Sequence, residues 1–230
     1  MILLILYIKE ISKGLGIHLN NTITNKDLVT NFLNLVYEYK PSYFLEIGAF
    51  DASTSLKVAK NLPSTKCIAY EANKYNYEYF NDKLQNLPNF SYEHLAISNH
   101  NESVSFFIQR QKNKKIIKPV RKNNSLLERT DTAFTYEKIN VNCKTLNSLF
   151  DKSDSFCLWI DAEGKGFEVL EGATEILKNT KYIFIEVEQK MFWKDQKLDK
   201  DIIKYLNNLG FKQLSQDQEY EHQYNILFGK

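Results

Sequence analysis

The feature that most restricts this chain is a regular alternation: short apolar, β-prone runs separated by stretches whose apolar residues recur at helical spacing. Residues 43–47, 67–71, 90–97, 156–161 and 182–187 are such runs. Between them lie helical patterns at Leu56, Val58 and Ala59, over 75–84, over 167–177, and at Ile202, Ile203, Leu206 and Leu209, the last closed by Gly210. Parallel strands need long crossovers, which helices supply, so this order predicts a mostly parallel sheet covered by helices on both faces. Two further runs, 211–214 and 225–228, have no helix between them and predict a terminal antiparallel β-hairpin at the sheet edge. The expected architecture is therefore α/β, with a mostly parallel seven-stranded sheet.

A helix over 27–39, apolar at Leu28, Phe32, Leu35, Val36 and Tyr39 and ended by Pro41, precedes the first strand as a covering element. The apolar opening at 1–8 is cut by Lys9 and Glu10, far short of the roughly 20 residues that span a bilayer, and it lacks the marks of a signal peptide. It is expected to pack on the body or on a partner, in a cytoplasmic protein without a membrane span. At 230 residues the chain suits one catalytic unit. We divide it into an N-terminal covering segment and helix, 1–42, and the catalytic domain, 43–230. The net charge of +2, from 30 basic and 28 acidic residues, creates no strong field and makes a nucleic-acid partner unlikely to be required. Cys67, Cys143 and Cys157 stand singly in apolar or alternating runs, which predicts buried, reduced thiols rather than disulfides or a zinc site. Oligomeric state is open.

Ligands of open α/β sheets bind beyond the carboxyl ends of the strands, where the strand order reverses. The first strand here ends in Glu46-Ile47-Gly48-Ala49-Phe50-Asp51, and the second ends in Glu71, 23 residues after Gly48. A glycine lets a ligand approach the backbone without a Cβ in the way. The helix that follows begins with Ser53, Thr54 and Ser55, whose N–H groups suit a carboxylate. An acidic strand tip suits a pair of ribose hydroxyls, since a carboxylate accepts two hydrogen bonds side by side. The Gly-x-Gly-x-x-Gly cradle for a pyrophosphate is absent. What remains fits adenosine, a cationic centre and an amino-acid tail, which together make S-adenosylmethionine. The alternative for Glu71 is a solvated charge at a strand end.

Several segments, spread over about 43–188, resemble the FkbM-type methyltransferases. Leu45-Glu46-Ile47-Gly48-Ala49-Phe50-Asp51 resembles that family's first motif, and Ala69-Tyr70-Glu71-Ala72-Asn73 its Phe-Glu-Pro-Asn element. Leu95-Ala96-Ile97-Ser98, Asn124-Ser125-Leu126 and Thr145-Leu146-Asn147-Ser148-Leu149 are similar to later segments, with Asn147 where an aspartate is common. The most specific piece runs from Trp159-Ile160-Asp161-Ala162-Glu163-Gly164 to Gly172-Ala173, close to a Lys-Ile-Asp-Val-Glu-Gly-x-Glu-x-x-Val-Leu-x-Gly-Ala signature. Trp159 replaces its lysine and Gly166 a glutamate. The resemblance implies a Rossmann-like class I methyltransferase fold, S-adenosyl-L-methionine as cofactor, and transfer to an oxygen of a small-molecule or glycan acceptor. Strand tips and resembling segments together give the cofactor-binding set: Glu46, Gly48, Ala49, Phe50, Asp51, Ser53, Thr54, Ser55, Glu71, Ala72, Ala96 and Asp161.

Asp161 and Glu163 close a strand on the ligand side and are the expected catalytic pair, able to orient or deprotonate a hydroxyl. Alternatively, Asp161 bonds only turn amides and Glu163 caps the next helix. Gly164 and Gly166 are read as turn glycines. Glu186 and Glu188 end the following strand, as acceptor-site groups or as surface ion-pair partners. Asp161, Glu163 and Glu186 could together hold magnesium, but no metal is assigned. Between runs of period two at 104–108 and 139–143 lies a long excursion, 109–135, crowded with Arg110, Lys112, Lys114, Lys115, Lys118, Arg121 and Lys122. It reads as a solvated, mobile loop ahead of a device for steering anionic acceptors. Two other functions stay in view: a nucleotide-binding module without transfer, suggested by Gly166 and Asn147, and a dinucleotide oxidoreductase, disfavoured by the missing glycines.

Overall fold

In the computed structural model the described residues are 23–218 and 220–230. The apolar opening of the chain lies outside them. Helix α1 (Asn25–Tyr39) starts at Thr24, whose hydroxyl accepts the Asp27 N–H. It is followed by β1 (Tyr43–Ile47), α2 (Ser53–Asn61), β2 (Lys66–Glu71), α3 (Lys74–Phe80) and β3 (Phe90–His94). After a middle region come β8 (Phe156–Ile160), α5 (Gly166–Glu171), β9 (Thr180–Glu188), α6 (Asp199–Asn208), β10 (Lys212–Gln216) and β11 (Gln223–Gly229). The strands assemble in the order β10-β11-β9-β8-β1-β2-β3. β1, β2, β3, β8 and β9 run parallel to one another, and β11 runs antiparallel to both β9 and β10. The order therefore turns back between β1 and β8, which opens a crevice at their carboxyl ends.

Both faces are buried, and period two sorts the residues between them. Phe44, Cys67, Cys157, Phe184 and Leu227 point to one side, under Leu28, Phe32 and Val36 of α1 and Val58 and Ala59 of α2. Leu45, Ile47, Leu158, Ile160, Ile183 and Ile185 point to the other, under Val169 and Leu170 of α5 and Ile202 and Leu206 of α6. Phe32 is fully buried, with ring centroids 5.6–6.1 Å from those of Phe44, Trp159 and Phe184. Burial of a side chain of this size contributes about 1.5–3 kcal/mol. All three cysteines are buried and unbridged. None of the described helices is long and apolar enough to cross a membrane.

Three expectations change. The run 90–97 is two strands: it breaks at Leu95, whose N–H turns back to the Glu71 carbonyl at 3.1 Å, and β4 (Ala96–Ile97) leaves the main sheet. β4 pairs with β7 (Phe134–Lys144), which pairs antiparallel with β5 (Ser103–Lys112), β6 (Lys115–Ile116) completing a second, four-stranded sheet. The helix expected over 167–177 ends at Glu171 and resumes as a 3₁₀ turn, Ile176–Asn179, because Asn147 takes its hydrogen bonds: Asn147 Oδ1 accepts the Glu175 and Ile176 N–H groups and its own N–H donates to the Gly172 carbonyl. Between β7 and β8 a single helical turn, α4 (Leu146–Leu149), begins at Thr145, whose hydroxyl accepts the Ser148 N–H.

Candidate functional site

β1 ends in a tightly wound loop. Gly48 has φ +79°, and Phe50 and Ala52 also take left-handed values. The neighbouring strand gives the reason for glycine: a Cβ at position 48 would stand 1.9 Å from the Asp161 carbonyl oxygen. The loop is held to β2, with the Gly48 and Ala49 N–H groups donating to the Tyr70 carbonyl, both at 3.0 Å. Glu71 completes the clasp: its Oε2 accepts the Phe50 N–H and its Oε1 the Asn73 N–H, each at 2.7 Å. The side chain is 6% exposed, so removal from water raises its pKa to about 7, with Asp161 adding repulsion and the amide bonds offsetting part of the rise. Glu71 is thus no solvated charge. The Asn76 side chain also bonds this carboxylate, leaving part of its acceptor capacity uncommitted.

The carboxyl ends of β1, β2, β4 and β8 border a cleft of about 640 Å³, including its open mouth. Of the residues expected from sequence, Gly48, Phe50, Glu71, Ala72, Ala96, Asp161 and Glu163 line it. Glu46, Ala49, Asp51, Ser53, Thr54 and Ser55 stand outside the lining. Their polar groups serve the loop itself. Glu46 Oε2 accepts the Ser55 N–H at 2.8 Å, and Asp51 Oδ1 accepts the Ser53 N–H at 3.1 Å. Two of the three helix donors expected to be free for a ligand carboxylate are therefore already engaged.

The opposite wall is one that sequence reasoning missed. Residues 121–126 of the lysine-rich excursion line the cleft, fastened by asparagines. Asn73 caps α3 through its Oδ1 and donates Nδ2 to the Pro119 carbonyl at 2.9 Å. Asn76 holds Arg121 from both sides, accepting its N–H at 2.9 Å and donating to its carbonyl at 3.0 Å. Asn123 Nδ2 donates to Glu163 Oε1 at 2.8 Å, and the Ser125 hydroxyl to the Glu163 carbonyl at 2.6 Å. This corrects the reading of the excursion as a solvated loop. Arg110 and Lys112 pair with Glu137 and Asp131, while Lys114, Lys115, Lys118 and Lys122 are exposed. The available signal was the cluster of Asn and Ser beside the resembling Ser125-Leu126, since short polar side chains bond backbone groups.

The floor is acidic. Asp161 follows β8, its N–H donating to the Ile47 carbonyl at 2.9 Å. Glu163 has φ +24° and Gly164 φ +77°, the turn expected after this strand. A Cβ on Gly164 would press within 2.5 Å of the Trp193 ring. Gly166 lies outside the left-handed region and is the first residue of α5 rather than a turn glycine. Nor does Glu163 cap that helix, whose N-cap is Lys165. The registry Ile160 to Ile185 sets Glu186 beside Asp161, and one carboxylate oxygen from each of Asp161, Glu163 and Glu186 lies within 4.8 Å of the others. Glu188 is 4% exposed and so is not a surface ion-pair partner. Loss of water is the first cause of raised pKa values here, followed by mutual repulsion. It moves Glu163 to about 8, Glu188 to about 7, and Glu186 well above the ordinary range. Arg129, stacked 4.4 Å over the Trp193 ring, opposes the rise at Glu163 and Glu188. Asn147 is remote in role: its Oδ1 accepts the Glu175 and Ile176 N–H groups, so its departure from the usual aspartate is accommodated structurally.

A doubly wound sheet with a cleft at its switch point, a carboxylate on the second strand tip and an acidic fourth edge defines a nucleoside-binding enzyme domain. The profile of the methyltransferase FkbM domain matches residues 46–212, and the chain belongs to that family. Its cofactor is S-adenosylmethionine. No curated protein matches the chain. Among solved structures it is similar to precorrin-6y C5,15-methyltransferase from Geobacter metallireducens GS-15, at 13% identity, 93% coverage of each chain and TM-score 0.48. It is also similar to an rRNA methylase from Streptococcus thermophilus, at 10% identity, covering 91% of this chain and 98% of that one with TM-score 0.48. A third is M. capricolum TrmK in complex with S-adenosyl-homocysteine, at 11% identity, 86% and 67% coverage and TM-score 0.43.

Proposed function

We propose that this methyltransferase moves a methyl group to a hydroxyl oxygen of a small-molecule or glycan acceptor. The observation that carries the reading is the meeting of two carboxylate sites at one cleft: Glu71 at the tip of β2, and Asp161 with Glu163 beyond β8. When bound, the cofactor supplies an activated methyl on a sulfonium and a neutral leaving group. Glu71, held by the Phe50 and Asn73 amides and by the Asn76 side chain, presents its remaining acceptor capacity to the ribose hydroxyls. Gly48 and Phe50 shape the backbone side of the adenosine site, and Ala72 and Ala96 leave room for its base. Asp161 and Glu163 orient the acceptor hydroxyl and take its proton, assistance typically worth about 10²- to 10⁴-fold. The oxygen preference follows from the family resemblance and this carboxylate pair. Without transfer activity the chain would be a binding module, but Asn147 no longer motivates that alternative.

Calorimetry and single-turnover assays test the assignment together. Glu71→Ala should weaken S-adenosylmethionine binding roughly 10- to 100-fold, the loss of one or two hydrogen bonds to a charged acceptor. Asp161→Asn should leave that affinity close to wild type and slow transfer to hydroxylated metabolites and glycans. Undiminished affinity in the first variant, or label recovered only on nitrogen or carbon of the products, would remove the reading.

A further inference from the structure

We propose that Asp161, Glu163 and Glu186 bind one divalent cation of the oxygen-seeking class, magnesium, manganese or calcium, at the acceptor side of the cleft. The role of such an ion in holding an acceptor rests on the transfer reading above; its binding does not.

Three independent pieces of the fold converge on one point. β8 delivers Asp161, the adjacent register of β9 delivers Glu186, and the left-handed turn at Glu163 and Gly164 folds the third carboxylate back over the strand ends. One oxygen of each lies within 4.8 Å of the others. Oxygens that share a cation at about 2.0–2.6 Å are at most about 4–5 Å apart, so all three can reach a single ion without rearrangement of the backbone.

A gathering of acids is not in itself a site. The second observation is Glu186 Oε1, which is closed off from solvent and has no hydrogen-bond partner among the described residues. Gln223 reaches the carboxylate, yet this oxygen remains unmatched, a costly arrangement for a buried acceptor. Among the described residues, no cationic side chain bonds this oxygen. Lys165 is bound to Glu168 at 2.6 Å, and Arg129 lies flat on Trp193. A cation among the three carboxylates would give the orphaned oxygen its partner and offset the charge crowded there.

The donor set also defines what could share the ion. Three carboxylate oxygens leave about three positions of a six-coordinate cation, and those nearest the cleft mouth are open to the acceptor. Three negative charges against two positive ones leave the centre mildly anionic. It therefore favours a neutral acceptor with two neighbouring hydroxyls, such as a vicinal diol, over a phosphorylated one.

The test is a Mn²⁺ titration of the full chain, stripped with a chelator and dialysed, read by electron paramagnetic resonance. Wild type should bind one Mn²⁺ per chain, displaced by Mg²⁺ or Ca²⁺. Glu186→Gln should weaken Mn²⁺ by at least about 100-fold, beyond the 10- to 100-fold that follows loss of a group merely supporting a ligand. Glu188→Gln, on the same strand face but outside the trio, should cost far less. Both substitutions keep shape and remove a buried charge, so melting no lower than wild type and unchanged S-adenosylmethionine affinity certify the fold. No saturable Mn²⁺ in wild type, or equal binding by Glu186→Gln, overturns the cation site. Mn²⁺ bound as described without methylation of any hydroxyl would retain the site and discard the transfer reading instead.

Discussion

Glu46 stands where the sequence places it, at the end of β1, yet its carboxylate meets the Ser55 N–H of α2 rather than the cleft. At 4% exposure, its removal from water lifts the pKa from 4.5 to about 7, the Ser55 bond offsetting part of the rise and Asp51 adding to it. A carboxyl whose pKa is raised on folding stabilises the fold fully below its unfolded value, and that contribution is lost as pH climbs through the folded one. Wild-type stability should therefore fall between pH 4.5 and about 7. Glu46→Gln keeps an acceptor for the Ser55 amide and removes the charge. In urea unfolding at pH 5 and pH 8 its decline should be smaller than that of wild type by on the order of 3 kcal/mol. Identical declines would show that Glu46 ionises without cost. Glu71 shares the burial but faces the cleft, which shows the limit of reading single residues. Both acids end apolar runs in the sequence, and only the direction of each side chain separates a loop clamp from a ligand group.

Among the elements, those built from local pattern are legible and those built from distant pairing are not. β1, β2, β8 and β9 follow from apolar runs, and the tips at Gly48, Glu71 and Asp161 follow with them. The break at Leu95 does not, because it depends on the Glu71 carbonyl and on β7, far along the chain. The end of α5 depends likewise on Asn147. The cleft wall at 121–126 is the largest such omission. Its hold on α3 rests on Asn73 and Asn76, 46 and 45 residues from their partners. Because Asn76 supplies both the donor and the acceptor at Arg121 and also bonds the Glu71 carboxylate, Asn76→Ala should release the segment and loosen Glu71 while α3 keeps its Asn73 cap. Hydrogen exchange should then rise at 119–124, and the dissociation rate of S-adenosylmethionine should increase, with β1 and β8 amides as protected as before. Faster exchange throughout the sheet would mean that Asn76 supports the fold at large rather than this wall.

For the whole molecule, the consequence of the topology is that the cleft touches the most interior strands. β1 lies between β2 and β8, and its residues are buried from both faces. A ligand seated on the tips of β1, β2 and β8 therefore bridges the part of the sheet that opens last. Its binding energy should appear in the global melting transition and not as a local tightening. At a concentration one hundred times Kd, a ligand that binds only the folded chain adds about 2.7 kcal/mol. In a chain of this size each kcal/mol moves Tm by about 2–4 °C, so S-adenosylmethionine or S-adenosylhomocysteine should raise Tm by roughly 5–11 °C in scanning calorimetry. NAD shares the adenosine but adds a pyrophosphate. The loop after β1 offers it no glycine cradle, and the Ser53 and Ser55 amides of α2 are occupied. NAD at the same concentration should leave Tm unchanged, and an equal rise with NAD would assign the cleft to dinucleotides.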